Sequence, residues 1–157
     1  IVAAYGGDFD LLLGRRTYDL WSDYWPRAPR GPLADSLNAA TKHVATHRPE
    51  SLAWGPAEGI GPDLTNDVRR LKSQAGRDLI LSGSSTLTSS LLAQGLVDDV
   101  LLVVYPVLLG TGKRFFARGT PARSFELTGV QALASGVVLN SYRAVGPLNA
   151  GKDGVTG

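Results

Sequence analysis

The segment FDLLLGRRTY, residues 9–18, decides the fold class. Its apolar half is short and ends at a glycine, which is typical of a buried β-strand. Tyr18, Trp21 and Trp25 then recur at helical spacing, so they share one face of an α-helix that Pro26 ends. A buried strand that turns directly into a helix is the repeating unit of a parallel α/β sheet.

The same strand-then-helix order recurs along the chain. Apolar residues at helical spacing predict two further helices, one over residues 64–71, capped by Asp63 or Thr65, and one over residues 87–92. The last two predicted strands flank the Ala134-Ser135-Gly136 turn and form an antiparallel hairpin. We therefore predict an α/β fold with a mostly parallel central sheet and a C-terminal antiparallel hairpin. The predicted strands after the first are Lys42–Thr46, Leu52–Trp54, Asp78–Leu81, Val97–Tyr105, Arg123–Val130 and Val137–Ala144, and the predicted loops are 26–37 and 55–62.

Composition excludes several classes of protein. The chain has 157 residues, of which 43% are apolar and 19% charged, and this predicts one globular domain. It contains no cysteine, which excludes disulfides, thiol nucleophiles and thiolate zinc sites. A net charge of +2 without a dense basic surface argues against a nucleic-acid partner. The longest apolar run, Val100–Leu109, is too short to span a bilayer, so we expect no membrane partner and a cytoplasmic protein.

The two ends of the chain carry their own expectations. The sequence begins with Ile1 and contains no methionine, so we expect a fragment or a processed chain. Residues 146–157 are rich in glycine and show no periodicity, which predicts a flexible tail after a domain over residues 1–145.

The first strand-to-helix turn is a candidate anion site. Gly14 permits a sharp turn, and the backbone amides that open the next helix attract negative charge. Arg15, Arg16 and the Thr17 hydroxyl add positive charge and hydrogen-bond donors. The alternative is an ordinary solvated helix start.

A second turn, residues 82–86, has the same character. Small residues around Gly83 allow a ligand close to the backbone, and the serine and threonine hydroxyls can bind phosphate oxygens. The alternative is a serine-capped helix. The G-x-G-x-x-G fingerprint is absent, and His43 and His47 lack nearby partners for a metal, so we expect no metal site.

Four blocks, in the same order along the chain, resemble the dihydrofolate-reductase-like proteins of the RibD C-terminal-domain type. They are residues 11–18 with Trp25-Pro26, residues 81–87 with 95–99, residues 105–113, and residues 135–139. The resemblance spans residues 8–145. It implies a three-layer α/β/α fold, an NADPH cofactor and a homodimer. Family members usually carry an earlier strand with an acidic residue and a Ser-Leu-Asp-Gly motif before the first block. The resemblance therefore implies that this chain lacks its first strand, and no proton donor is assigned.

The resemblance also implies roles for individual residues. The first cofactor turn corresponds to Gly14, Arg15, Arg16 and Thr17, the adenosine-phosphate contacts to Thr46, His47 and Arg48, and the pyrophosphate turn to Gly83, Ser84, Ser85, Thr86 and Leu87. Tyr105, Pro106 and Gly110 are substrate-side candidates. Ser82 stands where riboflavin-pathway reductases carry glutamate, which argues against a true enzyme of that pathway.

The resulting hypothesis is an NADPH-dependent reductase of a small heterocycle, pterin-like or pyrimidine-like, that acts by hydride transfer. The alternative is a non-catalytic, dimeric module that binds NADP or another nucleotide. A structural domain whose turns bind no ligand is a third hypothesis.

Overall fold

A computed structural model describes residues 8–74 and 76–149. The chain forms two compact units, and the boundary between them falls after Thr88. The first unit contains a four-stranded parallel sheet, and the second contains a three-stranded antiparallel sheet. Within the described residues, no helix is both long and apolar enough to cross a membrane.

The parallel sheet has the strand order β3-β2-β1-β4. Its strands are β1 (Phe9–Gly14), β2 (Lys42–Ala45), β3 (Ala57–Ile60) and β4 (Asp78–Leu81). The register sets Leu11 opposite Lys42 of β2 and opposite Ile80 of β4. The helices are α1 (Arg15–Tyr24), α2 (Pro32–Ala39), α3 (Leu64–Ser73) and α4 (Ser85–Ala93), and the division between the units falls within α4.

The largest hydrophobic cluster of the first unit lies on the face of this sheet that Leu11 and Leu13 share, while Leu12 is buried on the other face. Leu11 and Leu13 alternate along β1 and are fully buried, together with Val44 of β2. Tyr18 of α1 and Leu37 of α2 pack against them. Truncating such a leucine to alanine costs about 2–5 kcal/mol in well-packed cores, so this face fixes the register of β1.

Two elements of the first unit differ from the sequence-based prediction. The predicted loop over residues 26–37 contains α2, which begins with Gly31 as N-cap and Pro32 at its first position. Proline and glycine are favoured there, since a helix start leaves those amides without intrahelical partners. The strand predicted at Leu52–Trp54 lies instead at β3, inside the predicted loop 55–62.

The second unit consists mainly of β5 (Asp99–Val104), β6 (Arg123–Ala132) and β7 (Val138–Pro147), in the order β5-β7-β6. The parallel sheet and the C-terminal hairpin are thus confirmed, and the strands divide into two sheets. The predicted tail begins too early, because Gly146 and Pro147 belong to β7. The rest of that tail from residue 150 onward lies outside the described residues.

Candidate nucleotide-binding site

The two predicted glycine turns meet at one edge of the parallel sheet. β1 and β4 are neighbours, so their carboxyl ends lie side by side, and the Gly14 amide donates to the Gly83 carbonyl at 3.1 Å. A Cβ on Gly14 would lie 3.0 Å from Ser84 Oγ and 3.2 Å from its amide nitrogen. Both turns therefore need small residues to fit against each other.

Gly83 requires glycine for a second reason. Its φ is +123°, and a Cβ there would lie 3.2 Å from the Thr17 hydroxyl oxygen. L-residues rarely adopt that backbone conformation. The peptide bond between Gly83 and Ser84 is cis. The φ angle of Gly83 and its short distance to Thr17 thus explain why glycine, which has no side chain, occupies this position.

Helix starts supply the hydrogen-bond donors of this edge. α1 begins directly after Gly14, and no side chain caps its first amides. α4 begins after Ser84, whose carbonyl accepts the Thr88 amide at 2.9 Å. Leu87 is buried, so it offers a ligand its backbone amide and not its side chain. Two adjacent helix N-termini form an environment that stabilises negative charge.

Arg15 connects the first turn to the segment after β2. Its Nη1 donates to Thr46 Oγ1 at 3.3 Å, to the Arg48 carbonyl at 3.1 Å and to Ser51 Oγ at 2.6 Å. Its Nε donates to Asp19 Oδ1 at 2.7 Å. Ser51 is a contact that the sequence did not reveal. The structure therefore brings Thr46 and the Arg48 backbone, which belong to the predicted phosphate contacts after β2, together with the β1 turn.

Arg16 is placed differently from Arg15. It is exposed on the first turn of α1, and within residues 8–74 and 76–149 it forms no hydrogen bond or ion pair. His47 and Arg48 are also exposed, and the Arg48 amide is held by Thr46 Oγ1 at 3.0 Å. The Arg16 and Arg48 side chains, which form no ion pair within the described residues, are available to an anionic ligand, whereas Arg15 is bonded to Asp19, Thr46 and Ser51.

The substrate-side candidates belong to the second unit. Tyr105 and Pro106 follow β5 directly, and the Tyr105 side chain is 50% exposed. A Cβ on Gly136 would lie 3.3 Å from Pro106 Cγ, so Pro106 packs against the hairpin turn. Gly110 has a φ of +72° in the segment that follows. Their role stays a prediction.

A buried polar network forms where the segment after β2 meets α1 and α2, and it consists of Tyr18, Asn38, Lys42 and Trp54. Lys42 is fully buried, and its Nζ donates to the Asn38 carbonyl at 2.7 Å and lies 4.3 Å from the centre of the Trp54 ring. Tyr18 accepts the Trp54 amide at 2.7 Å, and Trp54 Nε1 donates to Asn38 Oδ1 at 2.8 Å. Burial lowers the pKa of Lys42 from 10.5 to about 8, so its ammonium is still the main form at neutral pH. In the sequence, only a lysine at the start of a short predicted strand hints at this network.

The parallel sheet, the paired turns at its carboxyl edge and the antiparallel hairpin sheet define a dihydrofolate-reductase-like α/β protein. The chain belongs to the RibD C-terminal domain family, whose sequence profile matches residues 34–139. It is 29% identical over 136 residues to the uncharacterized protein YyaP of Bacillus subtilis (strain 168), an alignment that covers 84% of this chain and 72% of YyaP.

Two crystal structures share the fold. One is a candidate riboflavin biosynthesis protein of Shewanella sp. PV-4, with a TM-score of 0.70 and 17% identity, covering 92% of this chain and 78% of that one. The other is a pyrimidine reductase-like protein of Corynebacterium diphtheriae, with a TM-score of 0.64 and 12% identity, covering 92% and 79%. These likenesses confirm the predicted fold class.

Proposed function

We propose that the protein is an NADPH-dependent reductase of a small heterocyclic substrate, pterin-like or pyrimidine-like. One observation carries the proposal: the Gly14 and Gly83 turns interlock where α1 and α4 begin, next to exposed arginines. This donor set fits a dinucleotide, whose pyrophosphate needs backbone amides and whose 2′-phosphate needs arginine and hydroxyl donors. Membership of the RibD C-terminal domain family and the fold shared with a pyrimidine reductase-like protein support it.

Each part of the edge has a task under this proposal. The amides of residues 84–87 would hold the pyrophosphate, and Thr46, Arg48 and Arg16 would hold the 2′-phosphate. NADPH would supply the hydride, and this chain would orient it and exclude water. Tyr105 and Pro106 are the substrate-side candidates of the second unit.

The test is calorimetric titration of the full-length protein with NADPH and with NADH, followed by absorbance measurements of NADPH oxidation with a panel of pterins and pyrimidines. We expect NADPH to bind more tightly and at least one substrate to be reduced. Absence of binding by both nucleotides would overturn the proposal. Binding without turnover on any substrate would favour the non-catalytic nucleotide-binding module.

We further propose a homodimer formed through one face of the antiparallel sheet. Cross-strand partners point to the same side of a sheet, so three rows that are apolar apart from Asn140 and the Tyr142 hydroxyl share this face. Leu127 and Val130 on β6 are 54% and 60% exposed, which is unusual for a strand in a monomer. The rows are Val100–Tyr142–Leu127, Leu102–Asn140–Val130 and Val104–Val138–Ala132.

Leu127→Glu tests the dimer, with Gln131→Glu on the opposite face as the matched control. A buried carboxylate in an apolar interface is strongly unfavourable. In sedimentation velocity we expect a dimer for the wild type and for Gln131→Glu, and a monomer for Leu127→Glu. A monomeric wild type would contradict the proposal.

A further inference from the structure

The segment between β2 and β3, residues 46–56, is held at both of its ends. In its first half, Thr46, the Arg48 carbonyl and Ser51 accept hydrogen bonds from Arg15. Near its C-terminal end, the Trp54 amide donates a hydrogen bond to the Tyr18 hydroxyl. The segment also has its own short bonds, such as the Leu52 amide to the Pro49 carbonyl at 3.2 Å.

Lys42 makes further contacts at the C-terminal end of the segment. Its Nζ donates to the Asn38 carbonyl at 2.7 Å, approaches the Gly55 carbonyl at 3.4 Å and lies over the Trp54 ring. These contacts join the last turn of α2 to the end of the segment. In the part of the chain that the structure describes, Lys42 forms no ion pair.

A buried ammonium without a carboxylate is an expensive choice for a core position. An apolar side chain of the same length would fill the space without that cost. What an apolar chain cannot do is bind two carbonyl oxygens and a ring face at once. The contacts therefore point to a role in holding the segment rather than in filling the core.

We propose that Lys42 is a positioning residue of the nucleotide site: it fixes the Trp54–Gly55 turn and thereby holds Thr46 and Arg48 where they meet a 2′-phosphate. The nucleotide part of this inference rests on the proposed function. The positional part concerns the segment alone. NADH lacks the 2′-phosphate, so a displaced segment affects the binding of NADPH and leaves NADH binding intact.

The experiment compares Lys42→Met with the wild type and with Lys113→Met, which removes the same charge from the second unit. Hydrogen exchange is measured at the amides of residues 46–54, several of which are bonded, and at those of β1 and β4. We expect exchange in residues 46–54 to accelerate on the order of tenfold or more, while the exchange rates of the β1 and β4 amides stay unchanged. NADPH affinity should fall about tenfold and NADH affinity less than twofold.

The outcomes separate the two proposals. Uniform acceleration across the unit, or an unchanged ratio of NADPH to NADH affinity, would overturn the role of Lys42. A wild type that binds neither nucleotide overturns the proposed function, and local exchange still decides whether Lys42 holds the segment. If Lys42→Met does not fold, Trp54→Phe, which loses the indole donor to Asn38 but keeps a ring, is measured in the same way. The same pattern supports the proposal, and its absence refutes it.

Discussion

Arg16→Ala offers the sharpest test of the proposal that this edge prefers NADPH to NADH. The Arg16 side chain is exposed, whereas Arg15 is tied to Asp19, Thr46 and Ser51. Removing Arg16 therefore deletes one positive charge without loosening the structure. We expect NADPH binding to weaken and NADH binding to stay unchanged.

The size of the effect follows from the exposure of Arg16. A unit charge about 4 Å from a doubly charged phosphate in water gains about 2 kcal/mol, and salt screening reduces that value. A loss of about 1.5 kcal/mol corresponds to a roughly tenfold weaker Kd for NADPH. Because NADH lacks the phosphate, its Kd should change less than about twofold on the same scale.

The assay is calorimetric titration of both nucleotides at low and high salt. Arg27→Ala is the matched control, since that side chain is 78% exposed on a short turn after α1 and pairs with Asp23 at 3.7 Å. The Arg16 effect should shrink at high salt, and the Arg27 variant should match the wild type. Equal losses for NADPH and NADH, or an equal effect of Arg27→Ala, would refute a direct role in binding the 2′-phosphate.

Three further predictions concern stability. Gly83→Ala should destabilise the first unit by about 1–3 kcal/mol, because φ is +123° and the new Cβ would lie 3.2 Å from the Thr17 hydroxyl; thermal unfolding measures it, and an unchanged Tm would contradict it. Asp63→Ala should cost about 1 kcal/mol, because Asp63 caps α3 by accepting the Asn66 amide; urea unfolding measures it. Burial lowers the pKa of Lys42 from 10.5 to about 8, so between these two pH values the unfolded chain binds more protons than the folded protein. The stability of the wild type should therefore rise across that window by up to about 3 kcal/mol relative to Lys42→Met. A parallel pH dependence of the two proteins in urea unfolding would disprove this.

The sequence predicts the strongest elements of the fold because local patterns encode them. The apolar run of β1, the stripe of α3 and the hairpin of β6 and β7 are all confirmed. α2 was not predicted, because Gly31 and Pro32 mark a helix start as readily as a loop. β3 was misplaced, because this short edge strand buries only Ile60 and is defined by pairing with β2.

The candidate site is predictable to a different extent. The Gly14 and Gly83 turns are visible in the sequence, because each glycine stands between a short apolar run and a helical pattern. The division of roles between Arg15 and Arg16 is not visible, since neighbouring residues on a helix start point in different directions. The Lys42 network depends on contacts between residues distant in sequence, such as Tyr18 and Trp54. Only the folded chain brings those groups together.

The connections between the turns have a consequence for how nucleotide preference can evolve. The β1 and β4 turns are bonded backbone to backbone, through the Gly14 amide and the Gly83 carbonyl, so neither can change without the other. The segment after β2 is instead joined to the first turn of α1 through the Arg15 side chain, which donates to Thr46 and Ser51. Under the proposed function, mutations in that segment can exchange a preference for the phosphorylated dinucleotide for its unphosphorylated form, while the shared pyrophosphate cradle remains as it is. One edge of a small sheet thus combines two turns that constrain each other with a segment that can vary more independently.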